Sequence, residues 1–315
     1  MRNHRLFIAI LAVTSIAATT PSLLEISIAD PESAPSRTAA IEPPKSQGPE
    51  AIAFDGTYIW VARQFTDSVT RVGARDGAKG SSFAAGKRPV ALAFSRGSVW
   101  VANLDSNTLT RLNAGTGAVT QTIAVGDGPG GLVSDGTNLW VANRRAHTVT
   151  KVRASDGAVL GTYRAGKRPL NLAWDGANVW VVNNSANTVT KLRGTDGALL
   201  GTYDVGRGPF GIAYANASIW VTNFFDGTVT RLDSNNGRLL GTFKAEDGAA
   251  GIVFDGAALW VANNGMNTLS KINPANGATL ATLATGQGPM GVAYDGTNIW
   301  VANWASDSLS TTLAR

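Results

Sequence analysis

The chain has no cysteine among its 315 residues and only two histidines, His4 and His147. Without cysteine there are no disulfides, thiol nucleophiles, Cys-ligated zinc, iron–sulfur clusters, covalent haem or lipoprotein anchor. Charge is also sparse: charged residues make up 16%, too few for a long coiled coil or a solvated helical array. The balance of 27 basic against 22 acidic residues gives a formal charge of +5, a mild attraction to anionic partners. Past the first twenty residues no apolar run is long enough for a membrane helix. What is present in quantity is hydrophobic residues (44%), glycine (36) and tryptophan (nine). The hydrophobic content excludes wholesale disorder.

The N-terminus reads as a targeting segment. Arg2 and Arg5 precede an apolar stretch from Leu6 to Thr20, and Ser15-Ile16-Ala17 offers a small-x-small cleavage pattern. Residues 1–20 are expected to be a secretory signal peptide, with an uncleaved N-terminal anchor as the alternative. The mature protein is then exported, periplasmic or extracellular. Residues 21–35, rich in Ala, Ser and Pro, read as a linker, and residues 36–315 as one domain.

Seven tryptophans stand at Trp60, Trp100, Trp140, Trp180, Trp220, Trp260 and Trp300, a period of 40 without insertion or deletion. Around each the same phrase recurs, as in Gly208–Asn223 (GPFGIAYANASIWVTN) and Gly288–Asn303 (GPMGVAYDGTNIWVAN). Each unit holds four short β runs separated by turn dipeptides. Asp-Gly begins at Asp55, Asp135, Asp175, Asp255 and Asp295 between the first and second runs. Between the third and fourth it begins at Asp76, Asp156 and Asp196, with Asn-Gly at Asn236 and Asn276. These dipeptides supply the positive φ of tight hairpins, so each unit is a four-stranded antiparallel meander. The second run is apolar on both faces (Ile219, Trp220, Val221), as a sheet stacked between two others requires. The expected fold is an all-β, seven-bladed β-propeller. The seventh unit stops twelve residues short, and the twelve residues 36–47 precede the first. Residues 38–42 are therefore predicted to complete the last blade as a clasp strand.

The phrase Ile-Trp-Val-Ala-Asn, Asn-Thr-Val-Thr-Lys and the Asp-Gly turn resembles the bacterial YVTN or YncE-like propeller repeat over nearly all of residues 48–315. That resemblance implies an exported binding propeller; some members of the group are thought to bind nucleic acid. More distantly the repeats resemble streptogramin lyase, a seven-bladed enzyme that uses His, Glu and magnesium. The lyase's His-x-Glu arrangement has no counterpart here, because His147 stands alone.

In a meander propeller the loops between second and third strands, and those between successive blades, share one face. Internal repetition makes departures in these loops visible. Lys87 and Arg88 replace the usual glycine before blade 2, and Lys167 and Arg168 do so before blade 4. Arg144, Arg145 and His147 lie on blade 3, while Arg207 enters blade 5 beside Phe224 and Phe225. Asn171 breaks a column of Gly and Ala, and Trp304 places an indole in a polar loop. A basic arc with aromatics at one end is suited to phosphates or carboxylates on ligands that also stack; solvated loop charges are the other reading. The expectation is a non-catalytic, monomeric propeller without cofactor or metal. Its ligand would be anionic or polymeric: an envelope polymer, a protein partner or nucleic acid. The alternative is a lyase or hydrolase with His147 as acid or base beside Asp105 or Asp226, and a purely structural or adhesive module remains a third reading.

Overall fold

The structure, a computed structural model, describes residues 48–314; the signal peptide, the linker and the clasp strand expected at residues 38–42 lie outside them. The described residues form six four-stranded sheets and one of three strands, each an antiparallel meander in sequence order. Blade 1 runs through strands Pro49–Phe54, Tyr58–Arg63, Ser68–Gly73 and Lys79–Ala84. Blade 5 repeats the same meander. Its strands are Pro209–Ala215, Ser218–Asn223, Thr228–Asp233 and Leu239–Lys244. Blade 7 has Pro289–Tyr294, Asn298–Asn303 and Ser308–Leu313. First strands line the axis and fourth strands form the rim.

The core lies in the seams between blades. The second strand of blade 2, Ser98–Asn103, is buried at every residue, as its two-sided apolar character demands. Seven apolar clusters each join one blade to the next. One of them packs Ile59, Val61 and Val72 of blade 1 against Trp300, Ala302 and Leu309 of blade 7, so the ring is closed. Buried side chains of this size each contribute about 1.5–3 kcal/mol.

The Asp-Gly turns do more than reverse the chain. Asp175 Oδ1 accepts from the backbone N–H of Ala177 and Asn178, while Oδ2 accepts from Trp180 Nε1 at 2.7 Å. The same indole bond forms at Asp55, Asp135, Asp255 and Asp295. Burial alone would raise the Asp175 carboxyl, but these donors outweigh it and hold it below the usual carboxylate range. In blades 2 and 5 the turn has no Asp, and the indole N–H groups of Trp100 and Trp220 have no acceptor. There Arg111 and Arg231 lie over the indoles at 5.3 and 5.2 Å and donate to Ser98 and Ser218. In blades 3 and 4, Lys151 and Lys191 cover the tryptophans and reach backbone carbonyls of the next blade.

A second repeated bond crosses the loop face and decides how that face is built. In six of the seven blades the side chain ending the loop between second and third strands accepts from the backbone N–H of the residue that enters the next blade; blade 5 has Gly227 at that position and no side chain to accept. Asn107, Asn187 and Asn267 hold Gly128, Gly208 and Gly288 in this way, at 2.8–2.9 Å. Asp307 holds Gly48 at 2.8 Å across the seam between first and last blades.

Candidate functional site

The residue that enters each blade has a left-handed backbone. It is glycine at Gly48, Gly128, Gly208, Gly248 and Gly288, with φ from 53° to 74°. In the two remaining blades it is Arg88 and Arg168, both at φ 56°. A left-handed L-residue costs roughly 1–2 kcal/mol, and five blades avoid that cost with glycine. Their N–H groups are still latched, Arg88 by Asp67 Oδ1 at 2.8 Å and Arg168 by His147 Nδ1 at 3.0 Å. His147 therefore occupies the position of Asn107 and Asn187. Because Nδ1 accepts, the imidazole proton sits on Nε2.

Arg88 and Arg168 converge on Arg144 at the mouth of the axial channel. Arg144 lies flat over Gly130, to whose carbonyl it donates at 3.0 Å, and a Cβ at that glycine would collide with the guanidinium. Arg144 faces Glu50 at 3.7 Å, each side chain 15% exposed. Burial lowers the Arg144 guanidinium, Glu50 opposes this, and the like charges of Arg168 and Arg88 lower it further. Burial pushes the Glu50 carboxyl up, against the pull of Arg144 and Arg88. The mouth is thus a cluster of mutually repelling cations with one partly compensating carboxylate.

Arg145 extends the cluster outward, pairing with Asp105 at 2.7 Å and Asp127 at 3.6 Å; Arg88 lies 3.8 Å from the same Asp105. No ion pair among the described residues involves Lys167 or Arg168. Arg88, Arg144 and Arg168 with Arg145, His147 and Lys167 border a basin of about 510 Å3. On the other side of the same three arginines is a cleft of about 390 Å3. Its walls are Phe210, Phe224 and Phe225 from blade 5 and Trp304 and Met290 from blade 7. Below it the channel narrows to a cavity of about 160 Å3.

Not all sequence-predicted residues join this site. Asn171 lines the channel, where its Nδ2 donates to Phe210 O at 2.9 Å. Its neighbours in that column are small because a Cβ at Gly131 or Gly251 would strike the carbonyl of Leu170 or Met290 on the next blade. Trp304 rests on Phe65, ring centres 6.3 Å apart, and its indole N–H donates to Gln64, whose amide nitrogen faces Glu50. Lys87 borders neither cavity; its N–H is taken by Ser106 Oγ. Arg207 is exposed and tied to Asp226 by its N–H and its Nε at 2.7 and 2.6 Å. It borders neither cavity, so the basic arc ends at blade 4 and blade 5 contributes rings.

Sequence reasoning missed Glu50, Gln64, Phe65 and Met290. Glu50 had a legible signal, since Val90, Gly130, Leu170, Phe210, Ala250 and Met290 make its column otherwise uncharged.

No protein-family model matches the sequence, and neither does any curated protein. Solved structures do resemble it. A chain of hydrazine synthase from Kuenenia stuttgartiensis superposes with a TM-score of 0.78 at 17% identity, covering 87% of this chain and 97% of that one. Streptogramin B lyase gives 0.76 at 17%, covering 88% and 97%. A catalytically inactive virginiamycin B lyase from Staphylococcus aureus with quinupristin gives 0.76 at 17%, covering 89% and 99%. The shared feature is the fold. At this identity activity does not follow, and the local geometry takes up the groups an acid–base pair would use: His147 Nδ1 by the latch, Asp105 by Arg145 and Arg88, Asp226 by Arg207.

Proposed function

We propose that the protein is an exported, monomeric, non-catalytic β-propeller that captures an anionic ligand at the cationic mouth of its loop face. The observation that carries this reading is the backbone of Arg88 and Arg168: both hold a left-handed conformation that five sister blades give to glycine. A left-handed backbone kept at a position where sister blades relieve it with glycine, and where it brings charge together, is a feature of binding sites. The ligand is a free anion or an anionic group on an envelope polymer, a protein partner or a nucleic acid. The likeness of the repeat to exported YVTN-type binding propellers supports the same reading, and the basic N-terminal segment supports export. Cell fractionation with N-terminal sequencing of the mature protein tests the location.

Binding is tested by calorimetric titration of the mature protein with anions at rising salt. Neutralising phosphate or carboxylate groups releases counterions, so affinity falls as salt rises. A variant with Arg145, Lys167 and Arg168 each changed to Glu is expected to lose binding while keeping its thermal midpoint. Salt-independent binding, retained in that variant, would contradict the proposal.

A further inference from the structure

The two cavities at the mouth have opposite chemistry and a common wall. Arg88, Arg144 and Arg168 border both. The basin is bordered by five cations and an imidazole, with Ser185 and Leu104, and has no aromatic carbon ring of its own, whereas the neighbouring cleft is bounded by two aromatic banks. One bank is Phe210, Phe224 and Phe225, with ring centres 6.2 and 5.5 Å apart and the last pair edge to face. The other is Trp304, supported by Phe65. Phe225 is 69% exposed and Trp304 40% exposed. Rings this open leave apolar area in water that a ligand would cover.

The rings are held in place. Phe225 lies across Gly208 and Phe65 across Gly48, in contacts that a Cβ on either glycine would abolish. In blade 3 the equivalent glycine, Gly128, is covered instead by the stem of Arg145. One backbone device thus seats an aromatic ring in two blades and a cation in a third, which places both chemistries around one opening.

We propose that the ligand is a single small molecule in which a planar aromatic ring carries a carboxylate, phosphate or sulfonate group. The ring enters between Phe225 and Trp304, and the anion lies on Arg168, Arg144 and Arg88. This rests on the anion-binding reading above and narrows it from any anion to an aryl anion. The cleft volume of about 390 Å3 falls in the range of roughly 300–1,000 Å3 typical of small-molecule sites. Neutral aromatics leave Arg168, which has no ion pair among the described residues, without a counter-charge, and simple anions leave the rings in water.

Three probes separate these statements by calorimetric titration of the intact protein: naphthalene-2-sulfonate, inorganic sulfate and 2-naphthol. The sulfonate is expected to bind about tenfold or more tighter than either of the others, as stacking of one ring warrants. Phe225→Ala should weaken the sulfonate about tenfold and leave sulfate unchanged. Arg168→Gln should weaken both anions. Thermal midpoints confirm that each variant is folded. Equal binding of sulfate and sulfonate overturns the aryl assignment and leaves the anion site standing. Naphthol binding as tightly as the sulfonate, or no binding of either anion, overturns both.

Discussion

Arg168→Gly tests whether strain at the mouth is kept for function. Arg168 stands at φ 56°, where blades 1, 3, 5, 6 and 7 have glycine. The substitution releases the left-handed cost of roughly 1–2 kcal/mol. Against this, glycine adds freedom to the unfolded chain worth roughly 0.5–1 kcal/mol. The latch survives, because His147 accepts from the backbone N–H and not from the side chain. Repulsion of Arg144 by Arg168 is also removed. The variant should therefore be as stable as the parent or more stable, by up to about 1 kcal/mol, in urea denaturation. Binding should move the other way, since losing one charge-assisted hydrogen bond costs roughly 1.5–3 kcal/mol, a factor of roughly 10 to 150. Arg168→Ala is the control: it loses the charge, and with it the repulsion, but keeps the strain, so it should weaken binding equally while being less stable than Arg168→Gly. If Arg168→Gly is destabilised by more than about 1 kcal/mol, or binds naphthalene-2-sulfonate as tightly as the parent, the strain-for-function reasoning fails.

Other consequences can be checked independently. Glu50 is pushed up by burial, so as pH falls through its raised value it loses its charge and the mouth gains net positive charge. Binding of the permanently charged sulfonate should then tighten on acidification. Two unit charges roughly 6–8 Å apart at an effective dielectric of about 20–40 interact by roughly 1–3 kcal/mol, so Glu50→Gln should bind roughly 5- to 100-fold tighter at neutral pH and flatten the pH dependence. His147→Asn should by itself stay within about 0.5 kcal/mol of the parent, since Asn makes the same latch in sister blades, whereas His147→Ala should lose about 1 kcal/mol; chemical denaturation separates the two. Asp175→Ala strands the Trp180 indole N–H and should cost roughly 1–3 kcal/mol. The carboxyls of Asp135, Asp175 and Asp255 are depressed in the fold. Their contribution is therefore complete above the ordinary carboxylate pKa and is lost as pH falls through the lowered values, so acid unfolding should be shallower in Asp175→Ala. Deleting residues 1–47 should lower the thermal midpoint markedly if residues 38–42 complete blade 7; an unchanged midpoint would dismiss the clasp.

The strands and turns were legible because the units repeat the same local chemistry: alternation, a tryptophan buried from both sides in every blade, and Asp-Gly at the first hairpin of five of them. Repetition also exposed Arg88, Arg144 and Arg168 as departures. It did not separate Arg207 from them, because the distinction depends on Asp226 standing 19 residues later, where blades 2 and 7 have Ser106 and Ser306 accepting from the same loop N–H. Nor did spacing show that His147 is a latch, since its role appears only once the Asn107 and Asn187 bonds are seen in three dimensions. Arg63 breaks the motif Asn column and is fully buried, 3.9 Å from Asp307 at the seam of blades 7 and 1; the departure is visible in sequence, its partner is not. Glu50 acquires meaning only when the first strand of blade 1 is brought across the channel to Arg144 of blade 3.

The most direct test is the salt dependence of naphthalene-2-sulfonate binding to the mature protein and to the variant with Arg145, Lys167 and Arg168 changed to Glu. The structure predicts binding that weakens steadily from low to high salt and disappears in the variant. Binding of equal strength in both proteins, or none to the parent at low salt, would contradict an anion site at the mouth of this propeller.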